Sequence, residues 1–364
     1  MSNPYFDAIR KNFGFGFMRL PMIGEDVDIP QTKQMVDMFL ENGFNYFDTA
    51  HGYIGGKSEL AIGECLASRY PRDKFILTNK LSGNYFNTRE DIRPLFQQQL
   101  DACRVRYFDF YLMHALNAQS FQRYKELGAF ETALELKAEG KIKHLGMSFH
   151  DKAEVLDQIL TEIPQIEVVQ IQFNYVDFED EKVESRKCYE VCRKHKKPVI
   201  VMEPVKGGSL VNLPQAAQKV FDKLSGGSNA SYAIRFAAGF EGMMMVLSGM
   251  STLSQMADNI SFMKDFRPLS SEEQEAVDKV RSIFRNQALV PCTGCRYCTE
   301  VCPQEIPIPD IFAALNAQRQ GQAAEGNGVD KARDCIRCGQ CEKICPQNLN
   351  IRELLVVASE ELDG

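Results

Sequence analysis

The chain has 364 residues, 44% of them hydrophobic and 25% charged, with a formal net charge of −7. That length fits one large domain plus a small one; no apolar run approaches the roughly 20 residues that cross a bilayer, and no long basic block points to nucleic acid. Small molecules and redox proteins remain as partners. A reducing cytoplasm is the expected compartment, because the chain starts without a charged and apolar signal segment and is far longer than disulfide-stapled miniproteins.

From the N-terminus, short apolar runs alternate with amphipathic stretches. Strands are predicted at 14–20, 45–50, 75–81, 109–115, 143–149, 168–174, 198–205 and 243–249. Helices are predicted at 31–41, 57–69, 89–104, 129–139, 151–162, 181–196, 228–238 and 252–263. Eight strand-helix units in about 250 residues predict an α/β fold, a closed (β/α)8 TIM barrel. Runs such as VIVM and MMMVL are apolar on both faces, as befits strands with helices outside and packed side chains inside. An open doubly wound sheet would need a Gly-rich turn opening a helix, whereas Gly14-Phe15-Gly16 precedes no helix and lacks the third glycine. The expected division is a barrel over 1–265, a connecting helix over 266–288 begun by Ser270-Ser271-Glu272-Glu273, and a small α-helical domain over 289–364.

In barrels, chemistry sits where the strands end. The second predicted strand closes with Asp48-Thr49-Ala50-His51-Gly52-Tyr53, the third with Lys80 and the fourth with His114. Singly, each has an ordinary explanation: a cap, a solvated charge, a core histidine. Together, on three consecutive strands, they point to an active site. The chemistry they suit is hydride reduction of a carbonyl, whose oxygen must gain a proton as hydride reaches carbon. The Tyr53 phenol is the expected donor, Lys80 the cation favouring its phenolate, Asp48 the partner of Lys80, and His114 a donor that orients and polarises the substrate oxygen.

The last part of the chain repeats one cysteine ladder: Cys292, Cys295, Cys298 and Cys302 before Pro303, then Cys335, Cys338, Cys341 and Cys345 before Pro346. Three thiolates at two-residue steps grip one 4Fe-4S cube, while the cysteine before proline reaches the other cube. Cys292, Cys295, Cys298 and Cys345 are therefore expected to hold one cluster, and Cys335, Cys338, Cys341 and Cys302 the other. Zinc is the alternative, but it needs two cysteine pairs and has no use for a third cysteine at the next step. Cys65, Cys103, Cys188 and Cys192 read as core thiols. Cys188, Cys192 and His195 share helical spacing, which a helix face explains without a metal.

Asp48, Tyr53, Lys80 and His114 resemble, in order and strand placement, the tetrad of the aldo-keto reductase family, and FDTAHGYIGGKSE is close to that family's second-strand signature. The resemblance covers residues 12–265 and implies an oxidoreductase of aldehydes, ketones or sugars, with NAD(H) or NADP(H) across the barrel mouth. It places cofactor contacts on Ser148 and Gln170; on Met202 and the 204–210 loop, including Pro204, Val205, Lys206, Gly207 and Leu210; and on Ser248, Gly249, Ser251, Gln255 and Asn259. Phe149 stands where the family has Asn, and Met202 where an aromatic ring often stacks, which leaves room for a flavin. The segment at 248–259 lacks the Lys and Arg that NADPH-preferring relatives aim at the 2′-phosphate, so no strong NADPH preference is expected.

The tail resembles a bacterial-type two-cluster ferredoxin with a helix at 309–318, and the whole chain resembles the aldo-keto reductase subgroup that carries such a module. Three functions follow. One is two-electron interconversion of a carbonyl compound and its alcohol. Another is electron transfer between the clusters and a flavin or substrate at the barrel mouth, with a ferredoxin or flavoprotein partner. The last is a non-catalytic binding subunit, against which the complete tetrad argues.

Overall fold

The computed structural model describes residues 6–224, 226–321 and 328–362; residues 1–5 and 225 of the expected 1–265 domain, and 322–327 and 363–364 of the expected 289–364 domain, lie outside them. The first elements are β1 (Phe13–Gly16), a small hairpin of β2 (Met22–Ile23) and β3 (Asp26–Val27), α1 (Ile29–Glu41), β4 (Tyr46–Asp48) and α2 (Lys57–Ile62). There follow β5 (Ile76–Leu81), α3 (Ile92–Cys103), β6 (Phe108–Leu116), α4 (Ala118–Glu126), α5 (Ala129–Ala138), β7 (Ile142–Phe149), α6 (Ala153–Glu162) and β8 (Val168–Gln172). Then come α7 (Ser185–Lys194), β9 (Val199–Met202), α8 (Gln215–Phe221), α9 (Asn229–Ala238), β10 (Met243–Gly249) and α10 (Leu253–Met263). The chain continues with α11 (Ser271–Arg285), α12 (Tyr297–Glu300), α13 (Ile308–Arg319), α14 (Gln340–Ile344) and α15 (Ile351–Leu362).

Apart from the β2-β3 hairpin, the strands close one parallel barrel in the order β1-β10-β9-β8-β7-β6-β5-β4. Alternation along each strand sets its interior. Ile9, Tyr46, Ile76, Phe110, Leu112, Val168, Ile200, Met245 and Leu247 belong to one buried apolar cluster, with Phe6 packed on it. Residues two or four positions further along the same strands share that inward face, which puts Asp48, Lys80, Gln170 and Met202 one layer higher. The outward face of β5 carries Asn79 instead, and that side chain bonds Glu59 of α2 at 2.8 Å.

The predicted 14–20 strand pairs only over Phe13–Gly16 before a tight turn at Phe17–Arg19. The predicted 57–69 helix widens into a π-turn at Gly63–Ala67. Gly63 lies there against the α3 end, where an added Cβ would stand 2.4 Å from the Ala102 carbonyl oxygen.

Two compact units result, one comprising 1–204 with 230–270, the other 205–229 with 271–364. The first contains the barrel. The second thus includes a segment the sequence assigned to the barrel, and its contacts explain why: Gly207, at φ 62°, lies so close to the first cysteine loop that a Cβ would stand 2.2 Å from the Thr293 carbonyl oxygen. The core of this unit packs Ile308, Ile311, Phe312 and Leu315 of α13 against Ile351, Leu355 and Ala358 of α15. Asn316 fastens the chain before the cysteines, accepting from the Val290 N–H at 2.7 Å and donating to its carbonyl at 2.8 Å.

Candidate active site and cluster cradle

Asp48 and Lys80 meet inside the barrel top. Lys80 Nζ donates to Asp48 Oδ1 at 2.6 Å and to the Thr49 carbonyl at 2.8 Å, and both side chains are almost fully buried. Burial pushes the Asp48 carboxyl up and the Lys80 ammonium down, each shift opposed by the other's charge. With a direct contact and a second acceptor on the ammonium, the pair persists as ions, and the direction that matters chemically is the acidified Lys80. Its Nζ lies 4.7 Å from the centre of the Tyr53 ring.

Tyr53 opens a tight turn, Tyr53–Gly56, in which Ile54, Gly55 and Gly56 all have positive φ. A β-branched residue in that region is uncommon and signals a constrained backbone. Tyr53 is 8% exposed.

His114 approaches Tyr53 edge-on, ring centres 6.1 Å apart. A register shift between Met113 and Leu116, with Ala115 at φ 54°, marks a bulge at the end of β6, and bulges re-aim side chains near active sites. His114 Nδ1 shares a 2.6 Å hydrogen bond with Ser82 Oγ. Burial, with the nearby Lys80 charge second, holds the imidazole well below its ordinary value, so it is neutral at physiological pH. Ser82 escaped the sequence reading; its signal was its place two residues after Lys80, on the same side of the strand.

The remaining predicted cofactor residues divide. Ser148 and Gln170 are buried neighbours in register on β7 and β8. Ser148 Oγ accepts from the Ala115 N–H at 2.7 Å, which leaves its hydroxyl proton to donate. Ser248 and Asn259 bond each other at 2.9 Å. Gln255 Oε1 accepts from the Ser251 N–H at 2.7 Å, and Gly249 ends β10. Met202 and Pro204 lie at the end of β9 in the first unit, whereas Val205, Lys206, Gly207 and Leu210 belong to the second. The Arg19 stem lies against Gly249.

In the second unit, Cys292, Cys295, Cys298 and Cys345 line one cavity with Ile308, Phe312, Leu349 and Ile351 among its apolar walls. Burial, and then the nearby Cys295, Cys292 and Cys345, push the Cys298 thiol up to about 12. The Gly294 N–H donates to Cys292 Sγ at 3.4 Å. A zinc ion at about 2.3 Å from each sulfur draws four thiolates to a point. Here the four cysteines are spread around the lining of one cavity. The donor set, the N–H···S bond and the apolar walls fit a cube. Of the other four, Cys335 acts on Cys341, whose thiol is pushed up to about 11 by burial and then by Glu342 and Cys335; Cys302 packs on the same core, and Cys338 is exposed. Cys65, Cys103, Cys188 and Cys192 are buried in the barrel unit, and His195 bonds Asp157.

Residues 12–282 match the model of the aldo/keto reductase family, and 291–349 that of a 4Fe-4S dicluster domain. The chain belongs to the aldo/keto reductase family and carries a C-terminal 4Fe-4S dicluster domain. It is 25% identical over 196 residues to the NADH-specific methylglyoxal reductase of Escherichia coli, covering 48% of this chain and 57% of that protein. It is 28% identical over 140 residues to norsolorinic acid reductase B of Aspergillus parasiticus, 31% of this chain and 32% of that one. The chain thus spans less than two thirds of these curated relatives. Among solved structures, the aldo-keto reductase AKR11C1 of Bacillus halodurans in its holo form superposes with a TM-score of 0.63 at 23% identity, over 77% of this chain and 95% of that one. A Klebsiella pneumoniae aldo-keto reductase in complex with NADPH superposes with a TM-score of 0.60 at 18% identity, over 74% and 90%. These likenesses carry the fold. No described helix is long and apolar enough to cross a membrane.

Proposed function

We propose that this chain is an oxidoreductase interconverting a small carbonyl compound and its alcohol with a nicotinamide cofactor, and that its eight ladder cysteines hold two 4Fe-4S clusters. The observation that carries the first part is the buried Lys80–Asp48 pair beneath the Tyr53 ring, with a neutral His114 across from it. The nicotinamide supplies hydride to the carbonyl carbon, and Ser148, Gln170, Met202, Ser248 and Asn259 are the barrel residues that would hold it.

The chain's own part is proton management. Tyr53 gives its phenolic proton to the carbonyl oxygen. The Lys80 ammonium stabilises the phenolate left behind, as an adjacent cation favours an anionic group, and Asp48 keeps that ammonium in place. With the Ser82 hydroxyl donating to His114 Nδ1, the ring proton resides on Nε2, from which it donates to the substrate oxygen and orients it. Both donors act from a nearly dry interior, where a fixed dipole counts for more than in water.

The test is an anaerobic assay of NADH or NADPH oxidation against a panel of aldehydes and ketones, including methylglyoxal. Substrate-dependent oxidation is expected, faster at lower pH until the proton donor is fully protonated. Nicotinamide consumption that ignores the carbonyl substrate and depends only on a one-electron acceptor would replace this reading with electron transfer.

A further inference from the structure

Helix α4 follows β6 directly and reaches back to the end of β5. Its Tyr124 is buried, and the hydroxyl donates to the Leu81 carbonyl at 2.7 Å while lying 3.2 Å from the His114 carbonyl. Leu81 stands between Lys80 and Ser82. One phenol therefore bridges two strand ends, the first bearing Lys80 and Ser82, the second bearing His114. The bulge at the end of β6 creates the need for it. Where pairing shifts between Met113 and Leu116, the ladder is interrupted, and buried carbonyls there must find other partners. Helix α4 supplies two of them, since Ser120 Oγ also donates to the Ala115 carbonyl at 3.2 Å.

The bridge has little freedom. A capping box starts α4, the Ser120 N–H donating to Asn117 Oδ1 at 2.8 Å and the Asn117 N–H to Ser120 Oγ at 2.9 Å. Arg123 Nη1 donates to the Gly83 carbonyl at 2.8 Å, and its Nη2 to that of Phe86. The Phe86 ring meets Tyr124 edge-on, centres 5.3 Å apart. Gly83 lies so near that an added Cβ would stand 3.1 Å from Tyr124 Cε2 and 3.2 Å from its Oη. What this frame holds is the 2.6 Å contact between Ser82 Oγ and His114 Nδ1, whose two members come from the two bridged strand ends. A hydrogen bond weakens steeply as its geometry opens, and the bond at one ring nitrogen decides which nitrogen of a histidine carries the proton.

We propose that Tyr124 is a positioning residue for carbonyl reduction: by tying the Leu81 and His114 carbonyls together it keeps Ser82 against His114 Nδ1, and so keeps the ring proton on Nε2, facing the substrate oxygen. The effect on rate rests on the reduction reading above. The effect on the His114 ring does not.

Tyr124→Phe keeps the ring and removes only the bridge. The first measurement is the 15N spectrum of anaerobic, iron-loaded protein labelled at its five histidines, the His114 signals being those that vanish in His114→Gln. Wild type should show a neutral ring protonated at Nε2, whereas in Tyr124→Phe the two nitrogen signals should converge as both tautomers become populated. Identical His114 signals in the two proteins would overturn the proposal, with or without turnover. The second measurement is carbonyl reduction. Misplacing His114 predicts a kcat about 10- to 100-fold lower in Tyr124→Phe, with KM for the nicotinamide unchanged. Added to His114→Gln, the same substitution should change kcat by less than about 2-fold, because residues that act through one another are not additive. An equal loss in both backgrounds would make Tyr124 a residue of the fold alone and overturn its positioning role. A wild type without carbonyl turnover would overturn the reduction reading, the His114 signals still deciding for or against the bridge.

Discussion

At the scale of single residues, the site turns on charges kept out of water. Replacing Asp48 by Ala leaves the Lys80 ammonium buried without its carboxylate, which typically costs about 3 to 5 kcal/mol. Replacing the pair together, Asp48→Leu with Lys80→Met, should cost clearly less, as anaerobic denaturant titrations of the two variants would show. His114 makes a pH prediction whose sign follows from its depressed value. Below an ordinary histidine value near 6.5 the unfolded chain takes up a proton that the folded chain refuses, so stability falls as pH drops from there toward the lower folded value. The slope is about 1.4 kcal/mol per pH unit for one proton. His114→Gln should remove that contribution, measured as the difference in denaturation midpoint between neutral pH and pH near 5. The tetrad itself was legible because strand ends in a barrel expose their chemistry in sequence order. Ser82 was not, since its place two residues after Lys80 acquires a meaning only once the bulge at Ala115 brings His114 beside it.

Among the elements, the barrel strands were readable from their period-two and all-apolar runs, and their helices from amphipathic stretches. What could not be read was where pairing stops. β1 ends at Gly16 because the chain turns at Phe17–Arg19, although the apolar run continues. The hairpin at Met22–Val27 and helix α4 also lay below the signal, the former too short for a period, the latter strongly polar with only Phe121 and Tyr124 buried. The 205–210 loop carries the clearest element-scale prediction. Gly207 has both a left-handed φ and no room for a Cβ beside the Thr293 backbone, so Gly207→Ala must displace the loop that bears Cys292 and Cys295. Anaerobically purified Gly207→Ala should therefore hold about four irons per chain rather than about eight, with the far-ultraviolet circular dichroism of the barrel retained. Unchanged iron would separate that loop from cluster binding.

For the whole molecule, the question is how the proposed two-electron site and the proposed one-electron clusters would share a chain. The division into 1–204 with 230–270 and 205–229 with 271–364 shows that the cluster unit borrows a piece of the barrel's own sequence. Periodicity could not show this, because Gln215–Phe221 lies in a stretch where no element was predicted, while Cys292, Cys295, Cys298 and Cys345, grouped by their spacing, line one cavity. If hydride reduction is the chemistry, it must need the phenol and spare the clusters. Turnover of a carbonyl substrate by iron-loaded Tyr53→Phe, read beside its visible absorption, tests that most directly. The expected result is a loss of about 10²- to 10⁴-fold in rate with the cluster absorption unchanged; wild-type turnover in the variant would remove the proton-donating phenol from the reaction.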